Sequence, residues 1–222
     1  MGTVRILSNS PEPFVDRREA GRLLARQLER FRAGRPVVLG IPRGGVVIAA
    51  EIADHLGGEL DIVLSRKIGA PGNPELAIAA VAEDGRLFLD ERIAERVGAS
   101  GAFIAREQGR QLGEIARRVA LFRAVRPKVP LHGRVVIVAD DGLATGATMQ
   151  AALWAAHRDQ PSSTIAAVPV GAWDTIERLS QSADELVCLR APADFGAVGR
   201  FYRVFDQVED EEVLAILGRH AA

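Results

Sequence analysis

An α/β fold, with an open and mostly parallel sheet flanked by helices, is the class that this 222-residue sequence predicts. Three observations carry it. Residues 135–139, Val-Val-Ile-Val-Ala, form an apolar and largely β-branched run that reads as a fully buried strand. The run ends in Asp140 and Asp141, passes through the small-residue loop Gly142 to Gly146, and opens a helix at Thr148 and Met149. A second strand–loop–helix passage occupies Pro36 to Leu56, and strands alternate with helices along most of the chain. That rhythm belongs to parallel sheets with right-handed crossovers.

Taken in order, residues 1–15 carry Pro11 and Pro13 and read as an irregular lead-in. Asp16 can cap a helix reaching about Ala33, with Ala20, Leu23, Leu24, Leu28 and Phe31 on one face and Gly34 as its stop. Pro36 to Leu39 is a short buried strand that runs into Gly40-Ile41-Pro42-Arg43-Gly44-Gly45, and a helix from about Val46 to Leu56 ends at Gly57-Gly58. Leu60 to Ser65 is the next strand. After Arg66-Lys67, two glycines, two prolines and an asparagine make regular structure improbable, so residues 68–75 are expected to be a mobile loop. Ala77 to Val81 and Leu87 to Leu89 read as two short strands around a turn at residues 83–86.

Residues 102–125 hold the longest helical pattern, with Leu112, Ile115, Ala116, Val119 and Phe122 at helical spacing. Its arginines at 106, 110, 117, 118 and 123 read as a solvated polar face, with Glu107 and Glu114 among them. A helix to about Arg158, a strand at 165–170, a helix near 174–180 and a strand at 186–189 continue the alternation. Residues 192–206 break it with Phe195, Phe201, Tyr202 and Phe205, which include the only tyrosine. A last helix covers about 211–217. One domain spans 1–222, with a core over about 16–190 and a small C-terminal hood over about 191–222 to which the N-terminus can contribute.

Composition narrows the function classes. The chain is 48% hydrophobic and 26% charged with a net charge of −1, which does not recommend nucleic acid as a partner. No run approaches transmembrane length and no signal-peptide core is present, so the expectation is no membrane and a cytoplasmic location. The single cysteine, Cys188, falls in a strand as a buried, inert thiol. Only two of the 28 basic residues are lysines, Lys67 and Lys128, which marks each slightly as a functional candidate.

The chemistry concentrates in the two loops. Amides at a helix N-terminus attract phosphate, and small residues let it approach. Carboxylates beside such a site repel phosphate, so Asp140 and Asp141 point to hydroxyls, a metal, or both. Neither loop is a Walker loop or a Gly-x-Gly-x-x-Gly fingerprint. Residues 136–148, Val-Ile-Val-Ala, Asp-Asp, Gly-Leu, Ala and Thr-Gly-Ala-Thr, resemble the phosphoribosyl-diphosphate (PRPP) motif of the type I phosphoribosyltransferases.

That resemblance implies specific roles. Ala144, Thr145, Gly146, Ala147 and Thr148 would hold the 5′-phosphate of PRPP. Asp140 and Asp141 would contact the ribose hydroxyls and help place an Mg²⁺ held mainly by pyrophosphate and ribose. The Gly40–Gly45 loop resembles the family's pyrophosphate loop, where a non-proline cis peptide is common; Arg43, Gly44 and Gly45 would meet pyrophosphate there. Arg66 and Lys67 would join them, with Lys67 counted among the catalytic residues alongside the two acids, while residues 68–76 close as a lid and exclude water. Glu75 could carry a proton there, although a lid glutamate more often faces solvent.

The aromatic tail is similar to the hood over the acceptor base, with Val198, Phe201 and Tyr202 as acceptor-side candidates. Hypoxanthine-guanine enzymes carry an aspartate where this chain has Ala144, and the Ala-Thr-Gly variant is closer to adenine enzymes; the acceptor base stays open. The implied activity is Mg²⁺-dependent transfer of 5-phosphoribosyl from PRPP to a nitrogenous acceptor, with release of pyrophosphate. A homodimer is the family's habit. A non-catalytic PRPP- or nucleotide-sensing protein on the same fold is the alternative. A PRPP-making diphosphokinase shares the motif but needs a repeated domain, and this chain shows no internal duplication.

Overall fold

A computed structural model describes residues 2–221. Its centre is a six-stranded sheet in which every neighbouring pair is parallel. The strands are β1 (Thr3–Ser8), β2 (Val37–Gly40), β3 (Glu59–Ile62), β7 (Val135–Ala139), β8 (Ser163–Val170) and β9 (Glu185–Arg190), in the order β1-β9-β8-β7-β2-β3. A second, antiparallel sheet joins β4 (Ser65–Ala70), β5 (Asn73–Ala82) and β6 (Leu87–Leu89). The helices are α1 (Arg17–Gln27), α2 (Gly44–Leu56), α3 (Glu91–Arg96), α4 (Gly101–Arg123), α5 (Ala147–His157), α6 (Trp173–Leu179) and α7 (Asp210–Arg219). Among the described residues no helix is long and apolar enough to cross a membrane.

The alternation of strand side chains builds two core layers. Val38, Ile137, Ile165 and Val187 face one side and pack with α1, α2 and α7. Val37, Leu39, Val136, Val138, Ala166, Val168, Leu186 and Cys188 face the other and pack with α5 and α6. Because both faces are covered, the strands carry continuous apolar runs rather than alternating ones. The Cys188 thiol is buried, and desolvation pushes it up to about 12.

Four expectations are corrected. Residues 3–8 are a strand, not a lead-in: Pro11 and Pro13 lie beyond its end, and β1 pairs with β9 from Thr3 opposite Glu185 to Ser8 opposite Arg190. Asp16 caps α1 by accepting the Glu19 amide, but α1 ends at Gln27 and continues as a 3-10 helix over Glu29–Gly34. Helix α3, capped when Asp90 accepts the Ile93 amide, lies in a stretch for which no element was expected.

The fourth concerns residues 68–75, which form the tip of a hairpin over 65–82 instead of a loop. Gly72 turns it at φ 77°, a conformation open to glycine. Ala70 pairs with Asn73 and Gly69 with Ala77, so Pro74, Glu75 and Leu76 bulge out of the ladder. A bulge tolerates a proline that a regular strand would not. The hairpin has its own small core of Ile68, Ile78, Val81, Ala94, Ile104 and Ile115. Phe88 of β6 stacks on Trp154 of α5 at 4.3 Å. Arg123 ties the hairpin to the main sheet by binding Asp61 at 2.6 Å and Glu83 at 2.9 Å.

Candidate active site

From β2 the chain moves outward to β3, whereas from β7 it moves the opposite way to β8 and β9. The boundary between β2 and β7 is therefore a switch point, and ligands of open α/β sheets bind in the crevice beyond the strand ends there. Both loops singled out in the sequence leave the sheet at this place. They lie against each other: the Ile41 amide donates to the Ala139 carbonyl at 3.0 Å. A Cβ on Gly45 would fall 2.6 Å from that carbonyl oxygen, and one on Gly44 would fall 2.1 Å from Asp141 Oδ2. Glycine at these positions lets the start of α2 rest on the two acids. The Pro42–Arg43 peptide is cis.

The acids differ in their surroundings. Asp140 Oδ1 accepts the Asp141 amide at 2.9 Å. Desolvation, followed by the charge of Asp141, pushes the Asp140 carboxyl well above the usual carboxylate range. Asp141 is clamped by two distant segments. Arg17 Nε binds its Oδ2 at 2.8 Å, and the Tyr202 hydroxyl donates to its carbonyl at 2.6 Å. The Arg17 guanidinium also lies 3.9 Å from the centre of the Phe205 ring and donates to the Asp206 carbonyl at 2.8 Å. Sequence reasoning did not find Arg17, because it sits in an ordinary first turn of α1 and meets Asp141 across 124 residues of chain.

The loop after the acids has its carbonyls tied back. Thr175 Oγ1 donates to the Ala144 carbonyl at 2.7 Å, Arg178 donates to that of Thr145 at 2.6 Å, and the Leu143 amide donates to the Val170 carbonyl at 2.9 Å. Gly146 turns at φ 70°, and a Cβ there would fall 2.6 Å from Thr175. Helix α5 starts at the next residue, so its first amides have no acceptor within the helix and can face an anion.

The structure brings Lys67 to this loop through Glu75. Lys67 Nζ lies 2.9 Å from Glu75 Oε2, and the Thr145 hydroxyl donates to the same oxygen at 3.2 Å. The hydrogen bond and charge of Lys67 hold the Glu75 carboxyl below its ordinary range. Glu75 is 62% exposed, as expected of a solvent-facing glutamate, while touching the loop that precedes α5. Arg66 Nε donates to Gln111 at 3.1 Å. Arg43 pairs with Glu209 at 2.8 Å, with Asp210 4.0 Å distant.

A cavity of about 370 Å³ opens between the Pro42 loop, β4 and α4, with Thr148, Arg66 and Lys67 in its lining. Arg110, Arg117 and Arg118 line it too. The expectation of a solvated basic face on α4 holds for Arg110 and Arg117, 65% and 66% exposed although they border the cavity, and is corrected for Arg123, 14% exposed and bound to Asp61 and Glu83. Glu107 does bind Arg110 at 2.8 Å, as a solvated helix pair would.

The aromatic tail reaches the site, but not with free ring faces. Phe201 and Tyr202 are only 3% and 6% exposed. Phe201 stacks on Phe195, and Tyr202 stacks on Phe205 and leans on Phe14. Stacking of either ring on an acceptor is therefore corrected: both rings are already spent on the core. Val198 is half-buried above Gly142, where an added Cβ would fall 2.7 Å from its side chain.

Comparison with known proteins extends these observations. The profile of the phosphoribosyl transferase domain matches residues 16–203. The crystal structure of TT1426 from Thermus thermophilus superposes with a TM-score of 0.90 at 48% identity, covering 95% of this chain and 100% of that one. A provisionally named phosphoribosyl transferase of Mycobacterium tuberculosis (strain ATCC 25618 / H37Rv) is 43% identical over 206 residues, which are 93% of this chain and 46% of the relative. A ribose-phosphate pyrophosphokinase of Sulfurisphaera tokodaii is 28% identical over 148 residues, 60% of this chain and 49% of that protein. The chain spans about half the length of these curated relatives.

Proposed function

The chain belongs to the phosphoribosyl transferase domain family, and on that premise we propose that it transfers 5-phosphoribosyl from PRPP to a nitrogenous acceptor and releases pyrophosphate. The observation that supports this most is the switch-point crevice, in which Asp140 and Asp141 stand between the α5 loop and the Gly44–Gly45 start of α2. The α5 loop would hold the 5′-phosphate, and the α2 loop with Arg66 and Lys67 would hold pyrophosphate. A ribose between them would meet the two carboxyls.

The division of labour follows from charge. Loss of pyrophosphate from C1 builds positive charge on the sugar and negative charge on the leaving group. Asp141, fixed by Arg17, offers an anion to the sugar. Burial and the neighbouring Asp141 charge raise the Asp140 carboxyl above the ordinary aspartate range, and its oxygens would meet a ribose hydroxyl. Lys67 and Arg66 offer charge to the leaving group, and the hairpin that carries Lys67 touches the α5 loop through Glu75 and Thr145, from where it would close to exclude water.

The residues present fit a magnesium ion. Hard carboxylate oxygens stand beside a phosphate cradle, while among the described residues no group of three or more His, Cys, Asp or Glu encloses a metal. Magnesium favours such sites, keeping waters and sharing substrate phosphates. Asp140 and Asp141 would hold it indirectly, and when bound it would neutralise charge on the pyrophosphate.

The test is pyrophosphate release from PRPP and Mg²⁺ across adenine, guanine, hypoxanthine, xanthine, uracil and orotate, repeated with the Asp140→Asn/Asp141→Asn double variant. Release with at least one base, abolished in the variant, supports the proposal. Unchanged turnover in the double variant overturns the site, and PRPP binding without release from any acceptor leaves a sensing protein on the same fold.

A further inference from the structure

The cavity between the Pro42 loop, β4 and α4 is lined by more cations than acids. Five cations line it, Arg66, Lys67, Arg110, Arg117 and Arg118, against one acid, Glu114. Three have carboxylate partners: Lys67 has Glu75, Arg110 has Glu107 and Arg117 has Asp210 at 3.2 Å. Arg66 meets only the neutral Gln111 amide. Arg118 is half-buried and among the described residues makes no hydrogen bond or ion pair. Desolvation lowers its affinity for a proton; the charge of Asp210 opposes this, and the charges of Arg66, Arg117 and Arg43 add to it.

Several guanidinium groups held close together, two of them without a directly bonded carboxylate, form an arrangement that an entering anion would relieve. Arginine's fork suits phosphate oxygens in particular. The volume of about 370 Å³ is ligand-sized. Thr148 at the start of α5, Lys67, Arg66, Arg118 and Arg117 line the same cavity.

We propose that this cavity binds an oligophosphate chain of three or more phosphates, with Arg117 and Arg118 of α4 taking the groups beyond the first two. The site extends outward from the place assigned to pyrophosphate and does not depend on turnover. The ligand is inorganic tripolyphosphate or the chain of a nucleoside 5′-triphosphate; the two share the chemistry that the arginines read.

Calorimetric titration of the full chain at one ionic strength tests this with pyrophosphate, tripolyphosphate and a nucleoside triphosphate. The expected result is that tripolyphosphate binds about tenfold more tightly than pyrophosphate, the gain of one charged hydrogen-bonded group. Arg118→Met should erase that tenfold difference and leave pyrophosphate affinity unchanged, while Arg118→Lys restores part of it. Matching thermal unfolding curves certify that each variant is folded. Tight binding by the nucleotide names a nucleotide ligand, and tight binding by tripolyphosphate alone names the inorganic chain. Equal affinity for the two inorganic anions, or an equal loss of both in Arg118→Met, overturns the proposal. Failure of the PRPP reaction in the Asp140/Asp141 test does not affect these outcomes, since none of them requires turnover.

Discussion

Gly45→Ala tests the close approach on which the site depends. The new methyl group would stand 2.6 Å from the Ala139 carbonyl oxygen, 2.9 Å from Asp140 Cα and 3.0 Å from Asp140 Oδ1. Two of these are backbone atoms, so relief requires the α2 start and the end of β7 to separate. Overpacking of this kind costs about 1–3 kcal/mol. Weakening the Ile41–Ala139 hydrogen bond adds about 1 kcal/mol, and the better helix propensity of alanine returns up to about 1 kcal/mol. The net is about 1–3 kcal/mol, and for a chain of this length that lowers Tm by about 2–12 °C.

Gly44→Ala is the control. Its methyl group meets Asp141 Oδ2 at 2.1 Å and Arg17 Nε at 2.9 Å, both ends of side chains that can turn away. It should weaken PRPP binding, because Asp141 loses its place, with a smaller change in Tm. Scanning calorimetry at one scan rate, with PRPP titrations of both variants, gives the comparison. A wild-type Tm for Gly45→Ala, or a larger fall for Gly44→Ala than for Gly45→Ala, would refute the reasoning.

Three further outcomes follow from charge. The Asp140 carboxyl is raised in the folded protein, so its contribution to stability is full below the unfolded value of about 3.9 and is lost as pH rises through the folded value. Asp140→Asn removes that loss, and its Tm advantage over the parent should therefore grow as pH rises from about 4; a constant difference across the range contradicts it. Glu75→Gln frees the Thr145 hydroxyl from a carboxylate in a mostly exposed pair, worth about 0.2–1 kcal/mol, so the Kd for PRPP should fall by about 1.4- to 5-fold. A rise in Kd would mean that Glu75 assists binding. Arg123→Met leaves Asp61, only 1% exposed, without its cation. Denaturant unfolding should show a loss of about 3–5 kcal/mol, and a loss below about 1 kcal/mol would remove the role given to this anchor.

The parts of the molecule that local patterns reveal are those where one short stretch determines its own conformation. Val135 to Met149 shows strand, acids, loop and helix start because burial, glycine and capping act within a few residues. Pro36 to Leu56 does so for the same reason. The hairpin at residues 65–82 escaped because Gly72 and Pro74, which argue against strands locally, are accommodated by a turn and a bulge that exist only once β5 pairs with β4. Strand β1 escaped because its evidence is a partner, β9, almost the whole chain away. Arg17, Glu75, Arg117 and Arg118 share that feature: each has its role through contacts between distant segments. Phe201 and Tyr202 were visible as an aromatic cluster, but which faces remain free is decided by Phe14, Phe195 and Phe205 around them.

The two anchors of Asp141 also set an order of assembly. One is Arg17, made well before the acid itself, and the other is Tyr202, made well after it. A growing chain can pair β2 with β3 and β7, and fold α5 onto them, before Tyr202 is made. Domains take shape from the N-terminal side during synthesis, yet the Asp141 backbone carbonyl lacks its partner until the segment through Tyr202 has emerged. The same dependence reaches the mature protein: removal of the segment from Tyr202 onward would spare the middle of the sheet and leave the Asp141 carbonyl without its hydroxyl partner.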